Sequence, residues 1–414
     1  MIVYSIYMRA RQSENSKASF GLAAAVKQLF GVTISKGLQQ SAWNSATLSA
    51  EQIRYSFLDS FYTLKLAEAL IPEIKRYKLG RVVRLMTNLI PVIVEMERNG
   101  IKLDVEAHDK LIAQYQAEFD ACQSDIKEYF YGYNPLSVKQ FDAWAKATLS
   151  EKQLKDWKKT KTRMYSADSA TLLEYQHIPA IKALSKMKEN VRLLNTYGKP
   201  LQEKIHPVTG RIHSRFNMID TATGRLSSSQ PNAQNYPRDK EFRSIFVAEK
   251  RNVLVVSDFS QIETRIAGIV SRDPVMLHAY ENGIDIYKLF AAKLYDKKIE
   301  EIGDKSVERQ HGKVVILGSA YGMSWKTLGA YAKGMGVEID DKTAKKLHYG
   351  YHEMFNVYSQ WCDDVRAKYT PLGYVRTPLG RIRILDTWQG ENNGYTTVPN
   401  VAIQGGAAEV KFSA

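Results

Sequence analysis

In "NVLVVSDFSQIETR" the run Val253 to Val256, with Ser257, reads as a short buried strand, and Asp258 stands where that strand ends. An acid there can hold a cation against a bound ligand; it can equally start a turn. Ser260 and Glu263 add a local reading, since S-x-x-E forms a capping box for the helix "SQIETRIAGIV". A second constellation lies in "ERQHGKVVILGSAYG". Arg309, Lys313, Leu317 and Tyr321 recur every four residues, and each such step turns a helix by about 40°, so the four share one drifting face. Two cations followed by an apolar residue and a phenol suit a phosphate chain with a flat ring beside it. Two cations alone would be an ordinary wetted face.

The elements that must position these residues follow from apolar spacing and breakers. Residues 1 to about 79 read as helical, with "FGLAAAVKQLF" and "LSAEQIRYSFLDSFYTLKLAEAL" both apolar at three- and four-residue spacing. Another helix runs to Asn99, with a kink expected near Pro91 and a stop at Gly100. A long polar helical region follows to about 205 and contains "KQLKDWKKTKTR", a basic run that suits either a solvated face or a phosphate-contacting strip. Between about 206 and 270 the pattern changes to short strands and turns. Helices then resume to about 370, "GYVRTPLGRIRIL" reads as a hairpin, and "NVAIQGGAAEVKFSA" as the start of a helix near Asn400.

The bulk numbers narrow the function class. The chain has 414 residues, enough for two or three domains, and a formal charge of +14, which makes a polyanion the default partner. Cys122 and Cys362 alone give neither a disulfide framework nor a cysteine metal site, and fit a reducing, cytoplasmic interior. No apolar stretch is long enough to span a membrane.

"DFSQIETR" resembles the first palm motif of the family A (DNA polymerase I-like) polymerases, and "RQHGKVVILGSAYG" resembles that family's fingers helix. "GRIHSRFNMIDTATGRLSSSQPNAQNYP", "GYVRTPLGRIR" and "NVAIQGG" resemble its template-primer and later palm segments, in the same order. "KGLQQSAWNSATLSAEQIRYSFLDSFYTLKL" is similar to the last motif of the DEDD-type 3′–5′ exonucleases, with Tyr55 and Asp59 matching its tyrosine and metal-binding aspartate.

The implied fold is an α/β multidomain one: a ribonuclease H-like exonuclease remnant followed by a right-hand polymerase fold with an incomplete palm. Its implied parts are the exonuclease remnant at 1–79, thumb and adjoining palm helix at 80–205, palm at 206–270, fingers at 271–372 and truncated palm at 373–414. The implied activity is addition of deoxynucleotides to a primer 3′ end, in DNA replication or repair, near the nucleoid of a bacterial or virus-infected cell. Asp258, with the carbonyl of Phe259, would bind two Mg²⁺ ions. Arg309 and Lys313 would hold the triphosphate, and Lys313 would protonate the leaving pyrophosphate. Leu317 would lie beside the incoming nucleotide, while Glu263 and Tyr321 would close the space at the sugar 2′ position. Arg225, Asn400 and Gln404 would contact the primer-template duplex from the minor groove; for Arg243 a duplex contact and a structural role stand equal.

Departures from these families carry expectations too. Only Glu14 and Glu51 precede Asp59 as acids, so no independent nuclease is expected and 1–79 is expected to serve as scaffold. The second palm aspartate, in a His-Asp-Glu turn between two strands, has no counterpart after Gln404, where only Glu409 remains. A fragment, or one half of a split enzyme with a second polypeptide, is the corresponding expectation. A non-catalytic DNA and nucleotide binding module and a single-subunit RNA polymerase are the rival readings. Leu317 stands where the family usually has Phe or Tyr, and Thr396 where an arginine is common.

Overall fold

The computed structural model describes residues 1–9, 20–221, 223–320, 322–385 and 393–413. The chain begins with α1 (Ile2–Arg9), α2 (Leu22–Phe30) and α3 (Ala50–Arg76). The start of α3 is set locally: Ser49 accepts the Gln52 N–H and the Gln52 side chain accepts the Ser49 N–H at 2.9 Å, a complete capping box. α4 (Gly80–Asn99) buries Val82, Met86, Leu89 and Ile93, a four-three-four spacing that keeps one face inward. These residues share a core with Tyr4 and Met8 of α1, Leu66 and Leu70 of α3, and with Met218 and Ile382 from far along the chain. The N-terminal helices are therefore welded to the body. Pro91 lies inside α4, and Gly100 ends it at φ 56°, where a Cβ would sit 2.5 Å from the Ile212 carbonyl oxygen.

β1 (Ile101–Leu103) leads into α5 (Val105–Phe130), whose N-terminus is capped by the Asp104 carboxylate accepting from the Ala107 N–H at 3.0 Å. There follow α6 (Val138–Thr148), α7 (Glu151–Leu154), α8 (Ser169–Glu174), α9 (Pro179–Tyr197) and α10 (Lys199–Gln202). α5 packs along α9, and their far end closes on a core of Phe130, Phe141, Trp144, Trp157 and Leu184. The basic run lies here as a short helix and a loop, tied inward by Trp157, whose indole N–H donates to the Ser166 carbonyl at 2.9 Å.

The strands are short: β2 (Arg211–Ile212), β3 (Arg215–Asn217), β4 (Ser227–Ser229) and β5 (Phe246–Val247), with α11 (Lys240–Ser244) before the last. β1 sits between β2 and β5 in an antiparallel sheet, with Ile101 opposite Ile212 and Lys102 opposite Val247. β3 pairs with β4.

A helical array follows: α12 (Ile262–Ser271), α13 (Pro274–Glu281), α14 (Ile286–Tyr295), α15 (Val307–Ser319), α16 (Trp325–Gly334), α17 (Asp341–Met354) and α18 (Asn356–Tyr369). Its core gathers Val314, Val315 and Ile316 against Phe290, Leu347, Tyr351 and Phe355. Buried Asp273 knits it together, capping α13 through Oδ1 and accepting the Tyr358 N–H at 3.0 Å through Oδ2. The array touches the earlier helices where Lys333 donates to the Glu174 carbonyl at 2.8 Å. β6 (Tyr374–Arg376) and β7 (Ile382–Ile384) form the expected antiparallel hairpin, and α19 (Asn393–Ser413) packs against α12.

Three local expectations are corrected. The buried strand at Val253–Ser257 does not form: residues 252–259 have no regular structure and are exposed, with Val255 and Val256 at 87%. A strand needs neighbours to take its N–H and C=O groups, and no backbone hydrogen bond links 253–259 to another described segment. The Ser260–Glu263 capping box is absent as well. Gln261, at φ 54°, precedes α12 without a side-chain cap, the Ser260 carbonyl accepts from Arg265 Nε at 2.9 Å, and Glu263 is drawn away to an arginine. Finally, α19 begins at Asn393, seven residues before Asn400, and runs through Pro399.

Candidate nucleotide and duplex site

α15 presents Arg309, Lys313 and Leu317, all half-buried, while Val314, Val315 and Ile316 anchor its opposite face. The stripe is thus held by its own helix's core contacts. Tyr321 falls outside the described residues, as does Glu14. Gly312 lets α15 approach α14 closely, since a Cβ there would lie 2.5 Å from the Tyr287 carbonyl oxygen.

Arg309 is already held. Its Nε and Nη2 donate to Asp285 Oδ2 at 3.0 and 2.8 Å, its Nη1 donates to the Asp304 carbonyl at 3.1 Å, and its guanidinium lies 5.7 Å from the Tyr287 ring centroid. Tyr287 is buried, which pushes its phenol up to about 12, with Asp285 and Glu263 adding to the rise and Arg309 opposing it. Glu263 and Arg309 therefore share one electrostatic neighbourhood.

Glu263, in the first turn of α12, is ion-paired with Arg225. Burial raises the Glu263 carboxyl above its ordinary range, and the Arg225 charge works the other way. Tyr331 of α16 lies close enough to feel it, its phenol raised first by burial and then by Glu263. The frame beneath is stiff: the Tyr280 hydroxyl donates to Thr264 Oγ1 at 2.5 Å, and the Arg265 guanidinium lies 4.4 Å from the Tyr280 ring centroid. Arg225 follows Gly224, whose φ of 78° favours glycine and where a Cβ would also lie 2.7 Å from Arg381 Nε.

Asn400 and Gln404, one turn apart on α19, are half-buried, and Asn400 Oδ1 is buried without a hydrogen-bond partner among the described residues. Glu409, lower on the same helix, is buried, accepting from Thr377 Oγ1 and from the Leu379 N–H at 3.0 Å, and burial raises its carboxyl. It is a structural acid there. Arg243 is exposed on α11.

Asp258 is exposed, and among the described residues no three His, Cys, Asp or Glu side chains come together as a metal site. One acid does not fit a two-ion centre. On α3, Tyr55 and Asp59 are half-buried, with the Tyr55 ring 5.8 Å from that of Trp43.

The structure thus pairs Arg225 with Glu263, and joins Arg309 to Asp285 and Tyr287, with Tyr287 and Tyr331 both feeling the Glu263 charge. Of Asp285, Tyr287 and Tyr331 the sequence signals only the first: an aspartate before an apolar helical run, as in "DIYKLFAAKLY", marks Asp285 as an N-cap. Nothing in the spacing ties it to Arg309.

The comparisons with known proteins define the class to which this arrangement belongs. Residues 105–413 match DNA polymerase family A, and residues 3–75 match a 3′–5′ exonuclease family. The chain belongs to DNA polymerase family A, with an exonuclease-like N-terminal segment. It is 34% identical over 410 residues to DNA polymerase I of Aquifex aeolicus, covering 93% of this chain and 67% of that relative. It is 28% identical over 430 residues to DNA polymerase I of Geobacillus stearothermophilus, covering 99% of this chain and 47% of that one. Among solved structures, the POL domain of Pol1 from M. smegmatis, in complex with DNA primer-template and dNTP, aligns with a TM-score of 0.79 at 26% identity. That alignment covers 99% of this chain and 69% of the other. The chain spans less than half the length of several relatives, 38% of that from Caldicellulosiruptor bescii among them.

Proposed function

We propose that this chain carries the duplex- and deoxynucleotide-binding machinery of a template-directed DNA polymerase acting in replication or repair. The observation that carries the reading is the Arg225–Glu263 ion pair, which sets a candidate duplex contact against a candidate nucleotide contact. The unpartnered Asn400 acceptor on the neighbouring helix supports it, since a duplex minor groove offers a donor on guanine. Arg309 and Lys313 hold the phosphates, Leu317 and Tyr321 flank the nucleotide, and Glu263 limits the 2′ position. Arg225, Asn400 and Gln404 take the duplex; Arg243 has the weakest support. In this reading 80–205 is the thumb with an adjoining palm helix, 271–372 the fingers, and 206–270 with 373–414 the palm, while 1–79, with Tyr55 and Asp59, is a scaffold without nuclease activity. The setting is cytoplasmic, near the nucleoid.

The divalent ions of such a reaction, Mg²⁺ by expectation, would neutralise charge on the reacting oxygens. Asp258 is one ligand in this reading, and its partners are not among the described residues. The exposed Val253–Val256 run supports this, because an apolar extended segment that pairs with no described segment suits added strands.

Primer extension tests the reading. With dNTPs and Mg²⁺, the 414-residue chain should bind primer-template, with affinity falling steeply as salt rises, yet extend nothing. Extension by this chain alone would overturn the incompleteness. A preference for ribonucleotides in binding would favour the RNA polymerase reading.

A further inference from the structure

The three residues that immobilise Arg309 all belong to, or are tied to, the first turn of α14. Asp285 Oδ1 caps that helix, accepting from the Tyr287 N–H at 2.8 Å and the Lys288 N–H at 3.2 Å, while Oδ2 takes the two Arg309 donors. Lys288 in turn pairs with Asp304 Oδ1 at 2.7 Å, fixing the residue whose carbonyl receives Arg309 Nη1. The Tyr287 ring flanks the guanidinium. An arginine has five N–H groups. Three are committed here, which leaves one on each terminal nitrogen, the two-pronged arrangement that matches a phosphate. Lys313, one turn along α15, has no ion pair among the described residues.

We propose that Asp285 is a positioning residue for triphosphate binding, holding the Arg309 guanidinium with its free edge turned to the phosphates. The proposal rests on the reading of Arg309 as a phosphate ligand. A long cationic side chain must be ordered when it binds, and an arginine ordered in advance loses less. The carboxylate does cancel part of the cationic charge. Orientation outweighs that cost because Arg309, Lys313 and Lys288 against Asp285 and Asp304 leave the cluster net positive.

The two carboxylate oxygens do separate work, so the role can be isolated. Asp285→Asn keeps a good N-cap and loses the ion pair, and Asp285→Ser also caps but is too short to reach Arg309. Equilibrium titration of the full chain with dATP and with dAMP is the experiment. Arg309→Ala should weaken dATP binding about 10- to 100-fold, the range for hydrogen bonds to charged groups. Both Asp285 variants should weaken it about three- to ten-fold, the cost of one loosened side chain, with dAMP affinity unchanged. In an Arg309→Ala background the Asp285→Asn loss should vanish, because the two residues act as one unit.

Unchanged or tighter dATP binding in Asp285→Asn, an equal loss for dAMP, or a loss that persists without Arg309 would each overturn the positioning role. If Arg309→Ala itself left dATP binding intact, the phosphate reading would fail and this proposal with it. The first set of results leaves that reading standing.

Discussion

Val253-Leu254-Val255-Val256 and Val314-Val315-Ile316-Leu317 are apolar runs of the same length and nearly the same composition. In the first, exposure ranges from 51% at Leu254 to 87% at Val255 and Val256; in the second, the first three side chains are fully buried. The difference lies in where the backbone finds its hydrogen bonds. Inside α15 each N–H closes on a carbonyl four residues back, so that segment forms from its own atoms and then buries one face. A strand's groups are satisfied only by other segments. The Arg309 side is consequently built and braced, whereas the Asp258 side is set out but unframed.

Hydrogen exchange measures that contrast directly and has the largest expected effect. Amides of 314–319 should exchange at least about 10³-fold more slowly, relative to their intrinsic rates, than those of 253–257, because only the former need core opening. Comparable protection in the two runs would break the comparison.

Substitution should show the same asymmetry. Gly312→Ala forces a methyl against the Tyr287 backbone, and should cost about 1–3 kcal/mol in denaturant unfolding, the usual penalty for overpacking.

Acid should act on the braced side. Burial, with His348 as the next cause and Asp363 opposing, holds the His352 imidazole down to about 4. Between its ordinary value of 6.5 and about 4, the unfolded chain binds a proton that the folded chain refuses. Stability is therefore full above pH 6.5 and falls as pH drops through that window. His348 and His311, lowered by burial, act in the same direction. Unfolding midpoints measured from pH 7.5 to 4 should decline, and His352→Gln should flatten part of that slope.

The smallest effect is expected on the unframed side. Val255→Lys should change stability by no more than about 0.5 kcal/mol, as for a surface site without special contacts. A larger loss would mean that this run is covered in solution.

How far the site could be read in advance depends on sequence distance. The Arg309, Lys313 and Leu317 stripe was legible because helical spacing brings residues four apart onto one face, and the Pro378–Gly380 hairpin because a turn joins adjacent runs. The Asp285 hold on Arg309 spans 24 residues and the Arg225–Glu263 pair spans 38, and neither leaves a periodic trace. The Ser260 capping box was misread for a related reason. A local hydrogen bond worth roughly 1 kcal/mol gives way when a distant arginine offers the same carboxylate an opposite charge.

The sequence by itself determined the polyanion-seeking charge, the helices with their caps and stops, and the ordered motifs that carry the family resemblance, because each depends on composition or on residues within a few positions. Only the tertiary structure decided which charges meet, which apolar run is buried and how Arg309 is aimed. Those outcomes depend on segments tens to hundreds of residues apart, whose encounter no local spacing encodes.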